Sequence, residues 1–248
     1  MRCGWALALF ASPVVAALPM GCIEATDAKA TIADEIIVGA NDLVAVAADG
    51  ANVPEAMVPS LDAIGRMAAI ACTGTHIGDH RVLTAAHCLV ADSWDDCANT
   101  SIEWGIRGDG RAGMVGRCQR ILFAELTEDR DIAVFEVDEA PAVALHPDLC
   151  RAHGPGDGVF LFSHPERRPL EWSGRCVLEP LSVLALGRDR IGSGCDTEPG
   201  SSGAALLDEE TLEVVAVHNG GAGELNDATL LFVMSDLFAP EGFTCACP

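Results

Sequence analysis

From Ala63 onward the chain runs in short apolar stretches of strand length, each closed by Gly, Asp, Asn or Pro. "RVLTAAHC", "DIAVFEVD", "GVFLFS", "WSGRCVL", "AALLD", "LEVVAVHNGG" and "TLLFVMSD" follow this pattern, and "MAAIAC" (Met67 to Cys72) reads the same way. Such runs suit strands. A helix needs apolar residues recurring at three and four positions over ten or more residues, and few windows here do so. The texture restricts the fold to an all-β one, a sandwich or barrels. The 248 residues leave room for one large β unit or two small ones with a substantial core. "DEAPAV" (Asp138 to Val143) is the best internal break, because Pro141 follows an acidic pair between two strand-rich halves. The expected division is therefore residues 61–140 and 141–248. Near the C-terminus, "MSDLFAP" reads as the start of a short helix.

Residues 1–22 read as an export signal. Arg2 supplies a short positive region, and "ALALFASPVVAAL" is an apolar run too short for the roughly 20 residues of a membrane span. Cleavage near Ala16 and Ala17 is one option. Cys22 in "LPMGC" offers a lipid anchor as a second. Residues 23–60, with Asp, Asn and Pro breaks, read as a propeptide or a loosely attached arm. Eleven cysteines fit an oxidising compartment. Ten are left once Cys3 departs with the signal, an even number that favours full pairing over lipidation of Cys22. There are no paired C-x-x-C knuckles, so no metal site is expected.

The formal net charge of −22 argues against nucleic acid or an anionic membrane as partner, since phosphate binding needs a basic footprint. Solubility outside a cell accounts for the charge, and steering of basic substrates is the sharper alternative.

Three short blocks hold the residue types of nucleophilic catalysis. In "RVLTAAHC" small residues precede His87, so backbone and substrate can pack close to its imidazole, and the adjacent Cys88 could tether it. In "EDRDIAVFEV", Asp131 abuts an apolar strand and can be buried with it to orient an imidazole; Asp129 is its competitor in the same turn. In "CDTEPGSSGAALLD", Ser202 is followed by Gly203 and preceded at two residues by Gly200. Glycines there permit a tight turn and close substrate approach. They also let the N–H groups of Gly200 and Ser202 converge on one point, as an oxyanion hole requires. Ser201 lacks both glycines at those offsets. Taken singly, each block has a plain structural reading. Together they stand in the order His, Asp, Ser, with intervals of 44 and 71 residues.

"LTAAHC", "DIAV" and "DTEPGSSG" resemble the three catalytic blocks of the trypsin/chymotrypsin-like serine proteases. The short second interval resembles the compact bacterial branch that includes the glutamyl endopeptidases. "FLFSHP" and "WSGRCVL" resemble further segments of that branch. The resemblance covers roughly residues 63–234. It implies two antiparallel six-stranded Greek-key β-barrels, with the site in the cleft between them. It also implies a secreted or periplasmic monomeric endopeptidase that acts on protein or peptide substrates without a cofactor. His87 would be general base, Asp131 its orienting carboxylate and Ser202 the nucleophile, with Gly200 and Ser202 as oxyanion donors. Cys72–Cys88 and Cys176–Cys195 are the disulfides it implies. A catalytically silent binding protein on the same fold is the alternative function.

The chain departs from the family in two places. Animal-type members carry an acid immediately before the nucleophile, which pairs with a new N-terminus at activation. Here that residue is Ser201, although "IIVGA" (Ile36 to Ala40) resembles the start of their mature chains. The substrate pocket reads in two directions. Asp196 holds the place of the acid that selects Arg or Lys, whereas Thr197 and His218 resemble the residues with which glutamyl endopeptidases bind an acidic side chain. Asp196 facing a bound glutamate at about 4 Å would repel it by about 4 kcal/mol, so only one of these readings can govern. The expectation leans to an acid-selective pocket.

Overall fold

The structure, a computed structural model, describes residues 35–90, 97–108, 110–181 and 187–244. The expected export signal at residues 1–22, with Cys22, Cys245 and Cys247, lies outside the described residues.

The fold is all-β and comprises two closed, six-stranded antiparallel barrels. The first contains β2 (Ile64–Met67), β3 (Cys72–Gly78), β4 (Arg81–Thr84), β5 (Ser101–Trp104), β6 (Met114–Leu126) and β7 (Asp131–Val137). Their order is β2-β3-β4-β7-β6-β5, closed by β2 against β5. The second contains β8 (Gly158–Ser163), β10 (Cys176–Glu179), β11 (Arg190–Ser193), β12 (Ala205–Asp208), β13 (Val214–Ala222) and β14 (Leu225–Leu230). Its order is β8-β10-β11-β14-β13-β12, closed by β12 against β8. Two short strands extend it: β9 (Glu171–Trp172) pairs with β8, and β1 (Val44–Ala45) pairs with β9. Among the described residues the α-helices are single turns, α1 (His87–Val90) and α2 (Ser235–Phe238), the second within "MSDLFAP". Among the described residues no helix is long and apolar enough to cross a membrane.

Local sequence explains these elements. Side chains alternate across a strand, so a strand buried on both faces reads as a continuous apolar run. In "GVFLFS", Val159 and Leu161 join the core of the second barrel while Phe160 and Phe162 join the larger core shared with the first. β6 reaches 13 residues because register shifts at Cys118/Arg120 and Ile121/Phe123 bend it around the barrel. Gly65 lies where a Cβ would meet Ile102 at 2.4 Å and Trp104 at 2.6 Å, so the first barrel's interior closes only with glycine there.

Two expectations differ from the structure. "MAAIAC" is not one strand: Met67 ends β2, Cys72 begins β3, and these two residues pair across a four-residue turn in which Ala71 has φ 52°. That turn holds no Gly, Pro or Asn to announce it. The described part of the stretch to residue 60 is packed rather than loose. Val46 N–H donates to Leu170 O at 2.9 Å, and Val46, Val53 and Met57 are buried with the shared core.

Candidate active site

β4 carries the chain to Thr84, and Ala85 and Ala86, both fully buried, turn it into α1 at His87. The Cys72–Cys88 disulfide fixes this corner to β3. Asp131 opens β7 next door, with no exposed surface. Its Oδ1 accepts the His87 N–H at 2.9 Å and its Oδ2 meets His87 Nδ1 at 2.7 Å. One carboxylate thus holds both the backbone and the ring of the histidine, leaving Nε2 as the free ring nitrogen. Burial would lower the His87 pKa, but the Asp131 hydrogen bond and charge, with Glu35, outweigh it and raise it above 6.5. Burial likewise opposes ionisation of Asp131, yet the bonds and charge of His87 hold it below the ordinary carboxylate value.

Ser202 comes from the second barrel, on the loop between β11 and β12. The Cys176–Cys195 disulfide anchors the start of this loop. Ser202 O accepts Thr73 N–H at 2.8 Å, and Gly203 N–H donates to His218 O at 2.8 Å, which ties the loop to both barrels. Gly200 (φ 109°) and Gly203 (φ 85°) both lie in the left-handed region. Ser201 is fully buried and its hydroxyl donates to Ser163 Oγ at 3.0 Å, so it faces away from the cleft.

The structure brings His87 and Asp131 together but does not bond Ser202 to His87. Ser202 Oγ donates to Glu35 Oε1 at 2.6 Å and also lies 3.2 Å from Asn219 O. Ser202 N–H donates to the same Glu35 oxygen at 3.2 Å, and the Gly200 N–H takes no part in that contact.

The three residues expected in the pocket lie in different surroundings. Asp196 Oδ1 accepts Val38 N–H at 2.7 Å and its Oδ2 accepts Asp42 N–H at 2.5 Å. Both oxygens of Asp196, one of the expected substrate-binding residues, are thus committed to the N-terminal segment. Thr197 and His218 have no exposed surface. Thr197 Oγ1 and both ring nitrogens of His218 have no hydrogen-bond partner among the described residues. Burial pushes the His218 pKa down to about 4, so the ring is neutral near pH 7.

Several residues around the site were missed by the sequence reading. Asn219 Nδ2 donates to Asp131 O at 2.6 Å, and Thr229 Oγ1 accepts Asp131 N–H at 3.2 Å. Arg190 donates to Asn219 Oδ1 at 3.1 Å and forms a buried ion pair with Asp227. Asn226 brackets Ile36, accepting its N–H at 3.1 Å and donating to its carbonyl at 2.7 Å. Asn219 directly follows His218 in "VHNGG", a position that could have drawn notice. Glu35 had no signal at all. Cys72, His87 and Cys88 place candidate metal ligands within 4.8 Å of one another, but both sulfurs are consumed in the disulfide. A third disulfide joins Cys97 and Cys118, and Cys150 is disulfide-bonded as well.

No curated protein matches the chain significantly. Solved structures do. A Glu endopeptidase in complex with MPD aligns at 18% identity and TM-score 0.59 over 83% of this chain and 100% of its own. The VesB protease of Vibrio cholerae aligns at 16% identity and TM-score 0.60, over 77% of this chain and 67% of its own. An inactive form of Rv3671c from M. tuberculosis H37Rv aligns at 18% identity and TM-score 0.55, over 78% and 93%. At these identities the structures speak for the fold. The model of the trypsin-like peptidase domain matches residues 72–217. With more than half its length in that match and both barrels in place, the chain belongs to the trypsin-like peptidase family.

Proposed function

We propose that the chain is an exported serine endopeptidase selective for an acidic side chain before the scissile bond. The observation that carries the reading is the two-point hold of Asp131 on His87, facing the serine loop of the other barrel. His87 Nε2 takes the Ser202 proton as Oγ attacks the substrate carbonyl, and the N–H groups of Gly200 and Ser202 receive the oxyanion. The same imidazolium then gives its proton to the leaving amine, and an acyl-serine forms. Water enters and the cycle runs again, with His87 as base, to release the acid. Asp131 keeps the proton on Nδ1 and stabilises the imidazolium without being protonated itself.

A reactive phosphonate probe tests this. Labelling of the protein that disappears in Ser202→Ala is the expected result; labelling that survives Ser202→Ala would overturn it. The contact of Ser202 Oγ with Glu35 in place of His87 favours the second reading, a silent binding protein on the same fold. Absence of labelling from every variant that opens the site would leave that reading standing.

Selectivity rests on the unpartnered donors of Thr197 and His218, together with the commitment of Asp196 elsewhere. A buried neutral imidazole and a hydroxyl can each donate to a carboxylate, and an unpaired buried polar group is costly to leave so. On fluorogenic peptides differing only in the residue before the cut, Glu is expected to exceed Arg in kcat/KM by about tenfold or more, the scale of one charge-assisted hydrogen bond. Faster cleavage after Arg would remove the acid-selective reading.

A further inference from the structure

The carboxylate of Glu35 lies where the reaction would need empty space. Its Oε1 accepts both the hydroxyl and the backbone N–H of Ser202, at 2.6 and 3.2 Å, from a residue 167 positions away in sequence. The contact is held from behind. Ile36 N–H donates to Asn226 Oδ1, and Ile36 O accepts Thr197 N–H at 3.2 Å and the Asn226 amide at 2.7 Å. Two residues further on, the Asp196 carboxylate accepts Val38 N–H and then Asp42 N–H. Residues 36–42 are thus clamped to the serine loop and its neighbour β14, and the clamp aims the side chain at position 35 toward Ser202.

We propose that Glu35 is a built-in carboxylate inhibitor: the serine's anion site accepts a carboxylate, and this chain supplies its own. The inference rests on Ser202 being the nucleophile. Two effects follow from the contact. The one proton on Ser202 Oγ is donated to Glu35, so it is not presented to His87. The Ser202 N–H is also occupied, so a substrate carbonyl cannot take it as it becomes an oxyanion. Glu35 contributes to the fields at His87 and His218 as well, which places its charge within the cleft rather than at its rim. The acceptor suits the place: both groups that Ser202 offers are donors, and a carboxylate oxygen only accepts.

The test uses the full chain in four forms: wild type, Glu35→Gln, Glu35→Ala and Ser202→Ala. Each is reacted with a fluorophosphonate probe, and only unprocessed chain is scored, by intact mass. Glu35→Ala is expected to label about tenfold or more faster than wild type, with Glu35→Gln between them, as befits losing charge-assisted hydrogen bonds. Millimolar propionate is expected to slow Glu35→Ala back toward the wild-type rate and to leave wild type unchanged. Equal rates in wild type and Glu35→Ala, with Ser202→Ala blank, would overturn the inhibitor and leave the nucleophile intact. A gain in Glu35→Ala that propionate fails to reverse would also overturn it, as the mark of a loosened site. No labelling of any folded form would overturn the nucleophile reading, and the inhibitor with it.

Discussion

Asp131→Asn is expected to lower kcat about 10⁴-fold, the scale of the same change in a Ser-His-Asp triad, while the protein stays folded. The reason lies in the two oxygens of Asp131. One accepts the His87 N–H and the other meets Nδ1. Asparagine has one acceptor oxygen for these two places. If its NH2 faces Nδ1, that nitrogen must accept, the ring proton moves to Nε2, and the nitrogen needed to receive the Ser202 proton is blocked. The sign of the pH effect follows. In the proposed mechanism His87 serves as base only when neutral, and its pKa is raised above 6.5 mainly through Asp131 acting against burial. Activity of the parent is therefore lost as pH falls through a midpoint above 6.5. In Asp131→Asn the midpoint shifts to lower pH, because the raising partner is gone. Paired pH profiles of kcat/KM, run in the wild-type and Glu35→Ala backgrounds, check both parts. An unchanged midpoint would show that Asp131 does not govern the histidine.

Gly203→Ala is expected to cost about 4 kcal/mol or more, placing it among the severe single substitutions. Gly203 has φ 85°, which a Cβ strains by about 1–2 kcal/mol. The added carbon would also lie 2.1 Å from Thr84 Oγ1 and 2.3 Å from Thr73 O. Neither neighbour can yield easily, since Thr84 Oγ1 itself donates to Thr73 O at 2.9 Å within the paired strands of the first barrel. At about 2–4 °C per kcal/mol for a chain of this size, Tm should fall by about 10 °C. Gly154→Ala is the control: nothing lies within 4 Å of its Cβ position, and its melt should match the parent. Equal melts for the two variants would show that the serine loop does not press on the first barrel as described.

What was legible in the sequence divides by range of interaction. The barrels announce themselves where a strand is buried on both faces, as in "GVFLFS", or where a motif is local, as at His87, Asp131 and Ser202. β5 and most of β6 did not, because their outward positions carry Glu103, Arg117, Gln119 and Arg120 and break the apolar run. The partners of Asp196 were not legible, since Val38 and Asp42 lie 158 and 154 residues away. Glu35 was hidden for the same reason, inside a stretch whose Ala-rich texture suggested an arm. Arg190 and Asp227 carry no local signal, and only the fold reveals that both side chains are about 1% exposed.

The bonds that join Asp131 to the second barrel carry one more consequence. Asn219 and Thr229 grip its backbone from β13 and β14, and Ser202 O is held in return by Thr73 of β3. The seam between the barrels is therefore stitched at the same residues that must stay in register for proton transfer. Any shear of one barrel past the other is read first as a misaligned serine, long before either barrel loses its own closure. Under the proposed mechanism, heat, denaturant or a partner that pries at the cleft would silence the protein while leaving most of its structure standing.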